Sequence, residues 1–572
     1  MRPLDTWTLI IFSLIVFLIG ISFTKTGKDI KSFFAAGGAV PWWISGLSLF
    51  MSFFSAGTFV VWGSIAYSNG WVSVTIQWMM AIAGLLIGLF IAPRWRKTNS
   101  VAAAEFITRR LGYRTQKIYT YLFLFISMFT TGAFLYPVAK IVEVSTGFPL
   151  TGCILVIGGL VTIYTAAGGL WAVIVTDVLQ FIVLTAAVLI VIPLSFQAID
   201  GVDNFVTQAP DNFFNLVNEE YTFGFMLAFG LYNLVFIGGN WAYVQRYTSV
   251  ARPKEAKKVG WLFSALYVIS PVIWMLPPMI YRILNPGLEG FADEGAYLMI
   301  CKAVLPAGML GLILGGMVFA TSSSVNTTLN IAAGVFTNDI YRHFFPKSSD
   351  QRVMYVARLA TVLFGVITVV VALLIPQLGG IVEVVLSVGA ITGAALYLPP
   401  IWSLFSALQT GQSALVTTVV SLIINSGLKF FGESVGISLS RAEEMITGVS
   451  VPILILVGYE LYYRLQNQPE VVIFPTKSSS TSPEQAEDED ANNQQGVRVI
   501  ILGIFAVGVL ITGLGLLADH GQTLISAVGF LVLTVGALLA YKVKKNQKSL
   551  TEQKHDSRKV HRIGTHRTIY GS

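Results

Sequence analysis

Apolar runs of roughly 20 residues, the length that crosses a bilayer, recur along this chain and are separated by short polar or charged segments. Continuous runs, as opposed to alternating ones, predict helices, and in lipid only helices or closed barrels satisfy every backbone group. Spans are expected at 7–23, 42–66, 74–92, 119–144, 150–166 and 170–194, then at 223–243, 261–281, 304–340, 356–375, 382–407, 414–430 and 446–465. A hairpin at 499–517 and 523–541 follows. The fold class is therefore an all-α polytopic membrane protein with about 15 transmembrane helices. The first run has no small-residue cleavage pattern and reads as a retained helix, not a signal peptide.

One span breaks the apolar pattern. Residues 315–341, GGMVFATSSSVNTTLNIAAGVFTNDIY, carry Thr321, Ser322, Ser323, Ser324, Asn326, Thr327, Thr328 and Asn330. An unpaired hydroxyl or amide in hydrocarbon costs several kcal/mol, so these groups must face protein, water or a ligand. A hard cation prefers such oxygen donors. The competing reading is that the hydroxyls bond back to carbonyls one turn earlier or join helices, and polarity alone does not separate the two.

Charge sets the expected topology. Lys25, Lys28 and Lys31 after the first span, Arg94 to Lys117 after the third, and Arg246 to Lys258 after the seventh mark cytoplasmic loops. The loop 200–221 has five acidic residues and no Lys or Arg, and belongs outside. The N-terminus is then external and the basic C-terminal tail cytoplasmic, in a multi-pass plasma-membrane protein. The net charge of +7 lies largely in loops and tail, where it meets anionic lipid and gives no sign of nucleic-acid binding. Residues 478–495, SSSTSPEQAEDEDANNQQ, hold too little apolar surface to fold and read as an acidic tether.

Composition also excludes chemistry. Cys153 and Cys301 lie in or beside apolar spans and make no disulfide framework or metal cluster, and His343, His520, His555, His561 and His566 all fall outside the spans. That argues against haem or an intramembrane metalloenzyme. A nucleophile elbow, a phosphate loop and paired catalytic carboxylates are missing, so no enzyme is expected.

From residue 42, five spans precede the acidic loop and five follow it up to residue 407. An odd number of helices per half starts the second half from the opposite side of the membrane, the arithmetic of an inverted repeat. Such folds break the first helix of each half near the midplane. Candidates stand at equivalent places: residues 53–58, FFSAGT, and residues 236–240, FIGGN. Close packing at small residues is the alternative.

Four stretches in order carry a resemblance: PWWISGLSLFMSFFSAGTF at 41–59, YTAAGGLWAVIVTDVLQ at 164–180, NLVFIGGNWAYVQRY at 233–247, and 315–341 through FTNDIY. They resemble the sodium/solute symporter family, whose members include sodium–glucose, sodium–proline and sodium–sialic acid transporters, over residues 5–467. The resemblance implies a leucine-transporter-like fold of two inverted five-helix repeats with extra N- and C-terminal helices. It implies a sodium site made by the carbonyls of Met51, Phe54 and Ala320 and the hydroxyls of Ser323 and Ser324. Five oxygens without formal charge suit a monovalent ion, since divalent sites recruit carboxylates.

Asp177 is ionisable inside an apolar span, and such a residue is a functional candidate. In two-sodium members of the family this position resembles one that helps to bind the second ion, with Thr327 as its partner here. Asn326 departs from the hydroxyl expected beside it, and a structural role for Asp177, paired with a loop arginine, is the alternative. For the solute, the resemblance points to Ser55, Thr58, Asn233, Tyr267 and Phe236, the last at the position of an aromatic gate. Phe53 and Val382 stand where sugar-transporting members are polar, so the cavity is expected to be less polar than a galactose site. Glu383 is either a further contact or a helix-end charge.

The expected function is sodium-coupled uptake of a small polar organic solute, a sugar or polyol, an amino acid or a carboxylate, by alternating access. Sodium is the co-transported ion, and solute and bilayer are the other partners. A transporter-like membrane sensor or a sodium-independent carrier is the alternative. The expected divisions are an extra helix and loop (1–40), first repeat (41–198), external loop (199–221), second repeat (222–407), two additional helices (408–467), linker (468–497), hairpin (498–542) and tail (543–572).

Overall fold

Hydrocarbon offers no partner for a free amide or carbonyl, and the long apolar runs are accordingly helical throughout the described residues. The structure, a computed structural model, describes residues 1–22, 40–100, 103–164, 170–288, 290–471 and 483–567. Among these, ten helices are long and apolar enough to cross a membrane, or up to eleven if one bent pair counts as a span. Four shorter apolar helices, Pro3–Val16, Trp42–Met51, Leu150–Gly159 and Met309–Thr321, accompany them.

The first half comprises α1 (Pro3–Ser22), α2 (Trp42–Met51), α3 (Gly63–Asn69), α4 (Val72–Leu86), α5 (Tyr113–Thr146), α6 (Leu150–Tyr164) and α7 (Leu170–Ala198). The second comprises α8 (Phe223–Gly239), α9 (Trp241–Thr248), α10 (Pro253–Leu284), α11 (Met309–Val335), α12 (Asp350–Leu374) and α13 (Gly380–Trp402). Then follow α14 (Gly411–Phe431), α15 (Arg441–Leu465), α16 (Pro483–Leu517) and α17 (Gln522–Arg567). The basic residues Lys25, Lys28 and Lys31 and the Gly168-Gly169 pair lie outside the described residues.

Two expected spans are interrupted. The run 42–66 is α2, a non-helical stretch at residues 52–55, and a helix that resumes through a π-turn at Thr58–Trp62. The run 223–243 is α8 and α9, bent by 62°. The hinge is Asn240, at the C-terminal end of the expected FIGGN stretch, in extended backbone with φ −62° and ψ 131°. Asn240 stops one helix and starts the next, because its side chain accepts the Ala242 amide at 3.0 Å as an N-cap.

α11, the span with the polar centre, packs against α1, α5 and α7, while α2 lies between α7 and α10. Glycine sets the closest approach of α10 to the first half: a Cβ on Gly260 would stand 2.6 Å from the Gly88 Cα. Tight packing of this kind supplies the van der Waals contact that drives helix association in lipid. The start of α11 is tied to the N-terminus by Asp5, which accepts the Gly308 amide at 2.7 Å. α16 and α17 form the expected hairpin against α7.

Residues 483–497, expected to be part of an unfolded tether, are instead the N-terminal part of α16. Pro483 opens that helix, where its missing amide is one that would be unpaired anyway. Residues 472–482 of the same stretch lie outside the described residues.

Candidate functional site

The break in the first helix is made by amides that bond elsewhere. In a continuous helix the Ser55 amide would return to the Met51 carbonyl, but it bonds Thr58 Oγ1 at 3.2 Å. The Ala56 amide leaves its own helix and bonds Thr321 Oγ1 on α11 at 2.8 Å. The Thr58 amide goes to the Ser55 carbonyl at 3.0 Å, not to Phe54. Met51, Ser52 and Phe54 thereby lose the donors that helix continuation would give their carbonyls, in a region where Met51 and Phe54 are both fully buried. Buried carbonyls without donors cost free energy unless something else is bound to them.

The second break differs. The freed Ile237 carbonyl accepts the Tyr247 hydroxyl at 3.1 Å, and the Gly238 carbonyl accepts the Trp95 indole at 2.7 Å. Protein donors close this break, while the break at 52–55 faces α11 with its carbonyls released. The two breaks expected from glycine and polar residues are therefore both present, but chemically unequal.

Of the residues expected to hold sodium, Met51 ends α2 at the edge of the break, Phe54 lies within the break, and Ala320 is buried on α11. Ser324 opens onto a cavity of about 80 Å³ together with Ser52, Thr328, Asn240, Asp177 and Arg246. Ser323 and Thr327 fall on α11, and their side chains lie outside the described residues. Asp177 is buried and accepts the Ser48 hydroxyl at 2.8 Å. The arginine that shares its cavity is not in a loop, as expected, but on α9: Arg246 is buried, donates to the Ala242 carbonyl at 2.8 Å and feels the Asp177 charge directly.

All five residues expected to meet the solute, Ser55, Thr58, Asn233, Phe236 and Tyr267, line a second cavity of about 160 Å³. Phe236 and Tyr243 border both cavities. Their rings stand edge to face at 5.6 Å, and Phe53 packs on Tyr243 at 4.5 Å, so an aromatic wall separates the two spaces. Val382 and Glu383 are not on this cavity. Glu383 is a helix-end charge at the start of α13, paired with Lys429 at 2.6 Å and Arg441 at 3.0 Å, and it accepts the Ser387 hydroxyl at 2.9 Å.

Thr321 was named among the polar residues of its span but not as a site residue, and Tyr243 was not named. Thr321 had a signal: it stands three residues before Ser324, hence on the same helix face. Tyr243 lay in a quoted stretch, but only the bend at Asn240 turns it toward the cavity.

A profile of the Sodium:solute symporter family matches residues 33–421. The chain belongs to this family. As a member it is a multi-pass membrane transporter that couples movement of a small solute to sodium. The chain is 28% identical over 469 residues to a sodium/glucose cotransporter of Vibrio parahaemolyticus, covering 75% of this symporter and 85% of that one. It is 28% identical over 371 residues to the sodium/sialic acid symporter SiaT of Proteus mirabilis, covering 62% and 75%. Sodium/myo-inositol cotransporter 2 of Homo sapiens is 27% identical over 412 residues, with 64% and 61% covered.

Solved structures give the fold. A Na⁺-coupled sialic acid symporter in its substrate-bound outward-open state superposes with a TM-score of 0.67 at 24% identity, covering 80% of this symporter and 98% of that chain. MHP1, a nucleobase-cation-symport-1 family transporter, superposes with a TM-score of 0.52 at 16% identity, covering 80% and 98%. The expected leucine-transporter-like, all-α architecture is thus the architecture of this symporter.

Proposed function

We propose that this symporter binds its driving sodium ion where the break at 52–55 faces α11, through the carbonyls of Met51, Phe54 and Ala320 and the hydroxyls of Ser323 and Ser324. The observation that carries the reading is the Ala56–Thr321 hydrogen bond of 2.8 Å, which sets the released carbonyls against α11. Sodium in that position stabilises the contact between the two elements, and its release inward follows when they separate. The solute occupies the 160 Å³ cavity beside Ser55, Thr58, Asn233, Phe236 and Tyr267, on the other side of the aromatic wall. One ion is the economical reading: Asp177 shares its cavity with the buried Arg246, whose positive charge opposes a cation beside the carboxylate, so Asp177 and Thr327 serve as a second sodium position only if Arg246 moves away.

Orientation follows from charge. The positive loops place the N-terminus outside and the tail in the cytoplasm of a plasma-membrane protein, with the repeats at 41–198 and 222–407 rocking about the site. Transport without covalent chemistry suffices, and no enzymatic role is proposed.

The test is uptake into proteoliposomes with and without an inward sodium gradient, for the wild type and the double variant Ser323→Ala, Ser324→Ala. Accumulation in the wild type is expected to require the gradient, and the double variant to lose it. Sodium affinity that survives in the double variant would place the ion elsewhere.

A further inference from the structure

The solute cavity has a composition that selects among solutes, an inference that rests on the assignment of this cavity to the solute. Among the described residues, none that lines it is charged. Its Ser and Thr hydroxyls, moreover, have largely given up their protons and offer a solute lone pairs only. Thr58 donates to the Phe53 carbonyl at 2.7 Å, Ser52 to Ser48 at 2.8 Å, Thr130 to Ser127 at 3.2 Å and Thr392 to Val388 at 2.7 Å. Asn233 spends one of its two amide protons on the Phe229 carbonyl at 2.9 Å.

What is left over is specific. Tyr243 and Tyr267 are 6% and 2% exposed, and among the described residues neither hydroxyl has a hydrogen-bond partner. Both residues line the cavity and neither oxygen is among the enclosed unpaired atoms, so the two hydroxyls open onto the space where a solute can meet them. The Ser55 hydroxyl, which accepts the Gly57 amide at 3.3 Å, keeps its own proton free, and Asn233 keeps its amide oxygen. The Tyr232 hydroxyl and the Trp62 indole N–H add two more donors that have no partner among the described residues, and the rest of the wall is aromatic and aliphatic. Tyr232 stacks on Phe236 at 5.4 Å and is seated against α13 where Gly389 and Gly393 leave room for its ring.

We propose that the transported solute is uncharged, with a flat apolar ring and only a few polar groups, chiefly acceptors that meet Tyr243, Tyr267 and Ser55. An anion or cation would be desolvated here without a side-chain counter-charge, which is costly. A polyol or hexose would bring a proton with every oxygen and turn hydroxyls against aromatic faces, whereas the groups of the wall that are still free mostly donate, and each unmet hydroxyl lowers discrimination in its favour. A ring with two or three acceptors fills the aromatic walls and meets the donors that point into them.

The experiment is sodium-driven uptake by the full-length protein in proteoliposomes, with labelled uracil and nicotinamide as neutral rings, glucose and myo-inositol as polyols, and lactate and sialic acid as anions. At least one neutral ring is expected to exceed every polyol and anion in kcat/KM by tenfold or more. Tyr243→Phe and Tyr267→Phe should each raise its KM by roughly 5- to 10-fold, the scale of one lost hydrogen bond, with the sodium dependence unchanged. Sodium-driven preference for a polyol or an anion, no sodium-driven uptake of either ring, or an unchanged KM in both variants would overturn the solute class. Each of those results leaves sodium coupling standing. Uptake of any solute that ignores the sodium gradient would instead overturn the symport reading, so the two failures are distinct.

Discussion

Thr321 accepts the Ala56 amide at 2.8 Å across two helices that are 265 residues apart in sequence, and returns its own proton to the Met317 carbonyl at 3.0 Å. The threonine is thus both a satisfied member of its own helix and, among the described residues, the polar link between the break after α2 and α11. It converts a local defect at 52–55 into a defined position for the carbonyls of Met51 and Phe54.

Thr321→Val keeps the shape and removes the acceptor. The Ala56 amide is then buried without a partner, at a cost of about 1–3 kcal/mol. Because the strain falls on the break, apparent sodium affinity should drop by roughly tenfold, the equivalent of about 1.4 kcal/mol, while Thr321→Ser retains it. Sodium titration of uptake in the three proteins checks this, and equal affinities would remove Thr321 from the ion site.

How far the sequence reaches is visible in these same residues. Span positions, the five-plus-five count and both breaks follow from apolar length and from glycine and polar residues inside apolar runs, which are local properties. The partners of the released groups are not local. Nothing near Gly238 announces that Trp95 will donate to it, and nothing near Asp177 that Arg246, 69 positions on (246 − 177), will share its cavity. Glu383 was ambiguous because a carboxylate at a helix start reads the same whether it faces solute or a neighbouring lysine; Lys429 and Arg441 decide it. The acidic residues after Pro483 misled for the opposite reason: a composition poor in apolar residues says nothing of a helix propagated from the adjoining membrane span.

Glu383→Gln is expected to weaken folding without touching the solute. Lys429 keeps Glu444 at 2.8 Å and Arg441 keeps Glu220, so neither cation is stranded. The side chains are about a quarter exposed, and the loss should fall between surface and buried pairs, about 1–2 kcal/mol. Thermal unfolding in detergent should show it, with the solute KM within twofold of wild type. A large rise in KM would return Glu383 to the solute site.

Glu294 gives a pH dependence. It sits in the turn Gly290–Gly295 before α11, is 3% exposed, and accepts the Tyr136 hydroxyl at 2.9 Å and the Ile381 amide at 3.1 Å. Burial pushes its carboxyl above the usual value of 4.5, and the Ile381 amide, the Tyr136 hydroxyl and Lys140 offset only part of that, while Asp293 adds to it. The folded state therefore holds this proton at pH values where the unfolded chain has released it. Stability from this group is greatest below the ordinary value and declines as pH rises through the window up to the raised one. Glu294→Gln, which cannot ionise, should flatten that part of the profile of melting temperature against pH. A profile unchanged by the substitution would show that another group sets the slope.

Asp177→Asn separates a second sodium position from an internal counter-ion. The carboxylate accepts the Ser48 hydroxyl and faces Arg246, whose Nε has no hydrogen-bond partner among the described residues. Removing the charge leaves a buried guanidinium uncompensated, an effect worth about 3–5 kcal/mol when one partner of a buried pair is lost. The expected variant is therefore strongly destabilised, yet in the protein that remains folded the Hill coefficient for sodium equals that of the wild type. The paired variant Asp177→Asn, Arg246→Gln removes both charges and should recover much of the lost stability, because no isolated charge is left buried. If Asp177 is a sodium ligand, the double variant gains nothing for coupling and the Hill coefficient falls in both. The two readings thus move different observables: the counter-ion acts on stability and is rescued by its partner's removal, whereas the ligand acts on the sodium dependence and is not.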